Sequence, residues 1–167
     1  IASERNLKLE TEYTYTYSNS LLNAHKIIAD GLIGEINSIV LKKKQLGRFL
    51  AYDVFALLGT HCLSMLDMFL PISELNFNSK SLMTNDNMTS ATLIYFEHLS
   101  KKSCGYIDVS LHCPIRENKV IICGQDGTIT YNPDSKNTLS LVCYSRSQEK
   151  GTNKVKISQE KNFYFDE

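Results

Sequence analysis

The residue with the clearest chemistry in this sequence is a histidine set on the apolar stripe of a helix. Between Asp53 and Leu70, Val54, Leu57, Leu58, Cys62, Met65, Leu66 and Phe69 recur every three or four residues. That spacing predicts a helix with Asp53 as its N-cap. His61 falls one turn after Leu57 and one turn before Met65, so it shares the buried stripe. Two readings are open. His61 is a core histidine with one satisfied hydrogen bond, or the helix walls an active site shared with a second domain and His61 looks into it.

Other chemistries find little to build on. The five cysteines (62, 104, 113, 123 and 143) include no C-x-x-C pair. Four of them sit in apolar strand or helix patterns and read as small hydrophobes, in a reducing, cytoplasmic setting. His61-Cys62 and His112-Cys113 are adjacent pairs whose side chains point different ways, so no metal site is expected. There is no G-x-G-x-x-G, no phosphate loop and no G-x-S-x-G elbow. The 167 residues carry 18 Lys and Arg against 18 Asp and Glu, well mixed and summing to zero. Such a balance gives no footprint for nucleic acid or an anionic membrane. Lys42-Lys-Lys44 and Lys101-Lys102 read as solvated strand ends, and no apolar run approaches a membrane span.

The elements that must position His61 can be read around it. Residues 7–17 alternate, with Tyr13, Tyr15 and Tyr17 on one side, and predict a half-buried strand. Ser18 or Ser20 caps a helix running to about Asp30, with Leu21, Ala24, Ile27 and Ile28 inward and Gly31 at its left-handed end. Gly34 opens a strand from Glu35 to about Gln45, a loop around Gly47-Arg48 leads to the His61 helix, and Pro71 stops that helix. Further strands are expected near 74–83, 89–98, 104–112, 118–124, 127–132, 138–146 and 154–158, with Asp126-Gly127 as a hairpin turn.

This order predicts one α+β domain over residues 1–167, a largely antiparallel or mixed open sheet with helices packed on one face. Thr92–Phe96, Val120–Cys123 and Leu139–Cys143 are close to continuously apolar, so both sheet faces are expected to be covered, one of them by another subunit. The chain opens at Ile1 and enters a strand-like pattern almost at once, which predicts a piece of something longer.

Several of these segments together resemble a known family. They are Thr14-Tyr-Thr-Tyr-Ser18, Ala24-x-x-Ile27-Ile28-Ala-Asp-Gly31-Leu-Ile-Gly34-Glu-Ile36, Leu46-Gly-Arg48 and Gly59-Thr-His61-x-Leu-Ser-Met-Leu66. With Cys113–Val120 and Gly124–Tyr131 they resemble the C-terminal half of the glucose–fructose oxidoreductase / inositol 2-dehydrogenase / rhizopine-catabolism (Gfo/Idh/MocA) family. The resemblance implies a two-domain parent. An N-terminal Rossmann domain would bind NAD or NADP and carry a Glu-Lys-Pro motif with the catalytic lysine, and neither is found in this chain. The present chain would supply substrate contacts and an open sheet for homo-oligomerisation.

The resemblance implies roles for named residues. His61 would be the catalytic acid or base, while Tyr15, Tyr17, Arg48 and Thr60 would line the pocket for a sugar-like small molecule. No cofactor-binding residue and no metal ligand is expected in the chain. Ordinary packing competes for Tyr15 and Tyr17, and a solvated loop for Arg48. One departure bears on chemistry. Relatives commonly place an aspartate one turn before the histidine, where this chain has Leu57, and Cys62 stands where close relatives often have another aspartate. A histidine base works best with a carboxylate to fix its tautomer. Two functions therefore stay open: the substrate half of an NAD(P)-dependent oxidoreductase for a sugar, sugar nucleotide or cyclitol, or a degenerate member kept for sugar binding or oligomerisation.

Overall fold

The computed structural model describes residues 3–8, 11–47, 52–85, 88–134, 138–149 and 152–164. Helix α1 (Asn19–Ala29) buries Leu21, Ala24 and Ile27 and starts after Ser18, whose backbone is extended. The end of α1 is set by Gly31 at φ +74°. There the Leu32 amide donates back to the Ile27 carbonyl at 3.2 Å, closing a glycine C-cap that any side chain at this φ would strain.

Eight strands form one open mixed sheet: β1 (Ile36–Leu46), β2 (Leu75–Asn85), β3 (Met88–His98), β4 (Cys104–Ser110), β5 (His112–Gly124), β6 (Gly127–Asn132), β7 (Thr138–Glu149) and β8 (Thr152–Tyr164). Their order is β2-β3-β4-β1-β5-β6-β7-β8, which leaves β2 and β8 as edges. β1 runs parallel to β4, and every other neighbouring pair is antiparallel. The parallel step arises because α2 (Thr60–Asp67) and the β2–β3 hairpin fill the long crossover between β1 and β4. At that step Gly105 leaves no room for a side chain, since a Cβ there would stand 1.9 Å from the Ile39 carbonyl oxygen.

Both helices lie on one face, α1 over β6 and β7 and α2 over β1. Along β1 the covered positions are Ile39, Leu41 and Lys43, and in β5 they are Asn118, Val120 and Ile122. The core gathers these with Ile107, Val109, Ile129, Tyr131, Leu139 and Leu141 beneath Leu21, Cys62, Met65 and Leu66. Each large aliphatic side chain so buried contributes about 1.5–3 kcal/mol, which is ample to fix which face is in.

The opposite face is not covered within this chain. Val40, Tyr106, Ile121 and Val142 are half-buried there, Tyr95 is exposed, and Lys42–Glu117 (3.3 Å) and Lys44–Asp108 pair across strands. The near-continuous apolar runs thus combine a buried set with a second set on an open, mixed surface.

Two sequence expectations are corrected. No strand forms among the described residues of 7–17; the tyrosines Tyr15 and Tyr17 lie on a 3-10 turn, Thr14–Tyr17, closed by Thr16 N–H to Tyr13 O and Ser18 N–H to Tyr15 O. Strand propensity counts only where a neighbour can complete the ladder, and no strand pairs with the described residues of this segment. The second concerns the His61 helix. Asp53 does cap it, its carboxylate accepting from the Phe55 and Ala56 amides at 2.8 and 3.4 Å. The first turn, Phe55–Gly59, is π-helical, with the Thr60 amide reaching back to the Phe55 carbonyl, and α2 proper begins at Thr60. Such a wide turn takes up one extra residue and re-aims the side chains beyond it.

Candidate functional site

Four side chains from four separate segments meet beneath α2. Lys43 shares strand parity with Ile39 and Leu41, so it points to the helix side of the sheet and is only 8% exposed. Its cross-strand neighbour in β5 is Asn118, 4% exposed. The Lys43 ammonium donates to the Tyr15 hydroxyl at 2.6 Å, and Asn118 Nδ2 donates to the same oxygen at 3.1 Å. Lys43 Nζ also lies 4.3 Å from the centre of the Tyr15 ring. That ring and the His61 imidazole pack T-shaped, centroids 5.7 Å apart and planes at 79°.

Tyr15 and His61 are half-buried, so the cluster reaches the surface on their side. His61 Nδ1 is itself buried and has no hydrogen-bond partner. Burial first, and the Lys43 cation second, hold the His61 pKa below its ordinary value. The neutral imidazole is therefore the resting form near pH 7, as a proton acceptor requires. Cys62 beside it faces the core, where burial pushes its thiol pKa up to about 12 and removes it from nucleophilic chemistry.

Two of the four escape a reading of the sequence. Lys43 reads as part of a solvated lysine run, yet only Lys42 and Lys44 lie on the open face, where they pair with Glu117 and Asp108. The signal is present, because Lys43 keeps the period of Ile39 and Leu41 and Asn118 keeps that of Val120 and Ile122.

Of the residues expected to line the pocket, Tyr15 joins His61. Tyr17, 65% exposed, stands apart from the cluster. Thr60 donates its hydroxyl to the Ala56 carbonyl at 3.2 Å and borders a recess of ≈ 350 Å³ with Tyr13, Thr16 and Ser64. Arg48 lies outside the described residues. Leu57 packs against the core, so no carboxylate takes the place from which one would orient the imidazole.

Neither helix start suits a dinucleotide. A pyrophosphate is held by free backbone N–H groups at a glycine turn. α1 comes after Tyr17-Ser18 with no glycine, and at the other start the Asp53 carboxylate already occupies the Phe55 and Ala56 amides. Among the described residues no group of three His, Cys, Asp or Glu could hold a metal ion, and no helix is long and apolar enough to cross a membrane.

By sequence, no family model and no curated protein matches significantly. By structure the likeness is extensive. A levoglucosan dehydrogenase in complex with NADH and levoglucosan superposes with a TM-score of 0.72 at 14% identity, over 93% of this chain and 48% of its own. An inositol dehydrogenase homolog from Azotobacter vinelandii, complexed with NAD+, gives 0.67 at 16% over 93% and 45%. The WlbA dehydrogenase from Bordetella pertussis, in complex with NADH and UDP-GlcNAcA, gives 0.64 at 16% over 78% and 44%. The chain spans less than half the length of each of these structures. Its fold is that of the matched portion of these solved dehydrogenase structures.

Proposed function

We propose that this chain is the substrate-binding and oligomerisation half of an NAD(P)-dependent oxidoreductase acting on a sugar, sugar nucleotide or cyclitol. The observation that carries the reading is the polar cluster under α2, where His61, kept neutral, packs T-shaped with Tyr15 beside buried Lys43 and Asn118. A core has no use for four such groups converging in one place, whereas a site that must orient a polyol does. In the parent protein, NAD or NADP bound by a preceding Rossmann domain would accept the hydride. His61 would take the proton of the reacting hydroxyl, and Tyr15 and Asn118 would orient its neighbours. Solved proteins of this fold bound to levoglucosan and to UDP-GlcNAcA support the substrate class.

The open sheet face, with Val40, Tyr106 and Ile121 at its centre, suits a second copy of the chain. A second reading has its own support. Leu57 and the unpartnered His61 Nδ1 fit a member that has lost catalysis and kept binding. The test is the two-domain protein assayed for NAD(P)H formation over a panel of sugars, sugar nucleotides and cyclitols, with its mass read by light scattering. Turnover by a dimer or larger assembly is expected. Sugar binding without turnover would select the second reading, and a monodisperse monomer would remove the oligomerisation role.

A further inference from the structure

We propose that Lys43, with Asn118 and His61, forms a subsite for a carboxylate, so that the substrate is an acidic sugar derivative of the uronate or aldonate class. This rests on the substrate-site reading above and narrows it. Lys43 is buried at the end of a long aliphatic stem, and among the described residues no carboxylate pairs with it. Its nearest acidic neighbours along the sheet, Asp108 and Glu117, are on the open face and pair with Lys44 and Lys42. A buried cation without an anion is costly to keep, and the Tyr15 oxygen and ring offset only part of that cost.

The rest of the cluster is short of acceptors in the same way. The ammonium has three hydrogens and the Asn118 amide two, and each group spends one on the Tyr15 hydroxyl. His61 Nδ1, donor or acceptor according to the ring's tautomer, has no partner either. The spare hydrogens of the Lys43 ammonium and the Asn118 amide are complemented by a group that only accepts and carries one negative charge, which describes a carboxylate. A neutral hydroxyl would leave the cation uncompensated. A phosphate dianion would bring two charges to a single ammonium.

The experiment uses this chain and three probes, glucuronate, glucose and glucose 6-phosphate, with binding followed by calorimetry and by the His61 ring-proton NMR signals. Glucuronate is expected to bind at least tenfold more tightly than glucose, with a preference that weakens as salt rises, and to shift the His61 titration upward. In Lys43→Met the preference should disappear, while Lys43→Arg should keep part of it; thermal unfolding of both variants checks that they fold. Equal binding of glucose and glucuronate at His61 would overturn the carboxylate subsite and leave the sugar-site reading standing. Preference for glucose 6-phosphate would overturn it in favour of a phosphate. Failure of all three probes to move the His61 signals would overturn the subsite and the sugar-site reading together.

Discussion

His61→Ala in the two-domain protein is expected to lower turnover about tenfold to a thousandfold, the range of one positioned acid or base. The effect should fall on turnover more than on substrate affinity, because an imidazole that takes a proton acts chiefly in the transition state. The pH dependence has a definite sign. With the His61 pKa depressed by burial and by Lys43, the neutral base is retained at pH values where an ordinary histidine would already be charged. The acidic limb of the rate profile should therefore lie below pH 6.5, the usual histidine value. Leu57→Asp would place a carboxylate in the turn before His61 and is expected to raise activity and draw that limb upward, at some cost in stability because Leu57 packs on the core. Unchanged turnover in His61→Ala across the pH range would make the histidine structural.

Lys43→Met is expected to make the folded chain more stable, by about 1–3 kcal/mol, although it removes a hydrogen bond. Replacing a buried charge by an apolar side chain of similar length removes its desolvation cost, and the Tyr15 oxygen keeps the Asn118 donor. Urea unfolding should show a higher midpoint with an unchanged slope. Stability gained while ligand affinity is lost would mark Lys43 as a residue held for binding. A loss of stability would mark it instead as part of the architecture.

Much of the fold is legible in the sequence because apolar periodicity and turn chemistry agree along most of the chain. Gly31, Asp126-Gly127 and the apolar runs within β5 and β7 each fix an element from a few residues. The segment before α1 misleads for a physical reason: Tyr13, Tyr15 and Tyr17 have strand propensity, and whether a neighbouring strand accepts them is decided by distant sequence. The loss of strand parity there separates Tyr15, turned in toward His61, from Tyr17, turned out.

The π-helical turn at Phe55–Gly59 is hidden as well, since one extra residue in a turn barely disturbs an apolar stripe. Within the site, His61 and Tyr15 are found from periodicity and from family resemblance. Lys43 is lost because charge outweighs parity in the reading of Lys42-Lys-Lys44, and Asn118 because its partner lies 103 residues away in sequence.

The most direct test of the shared site is the pH titration of the His61 ring protons in this chain and in Lys43→Met. If His61 shares one buried site with Lys43, its midpoint lies below 6.5 in the parent chain and rises when the cation is removed. Stability should track the same group. A depressed folded pKa means stability is full above pH 6.5 and falls as pH drops toward the folded value, less steeply in Lys43→Met. A His61 midpoint at or above 6.5 that ignores the loss of Lys43 would contradict the site.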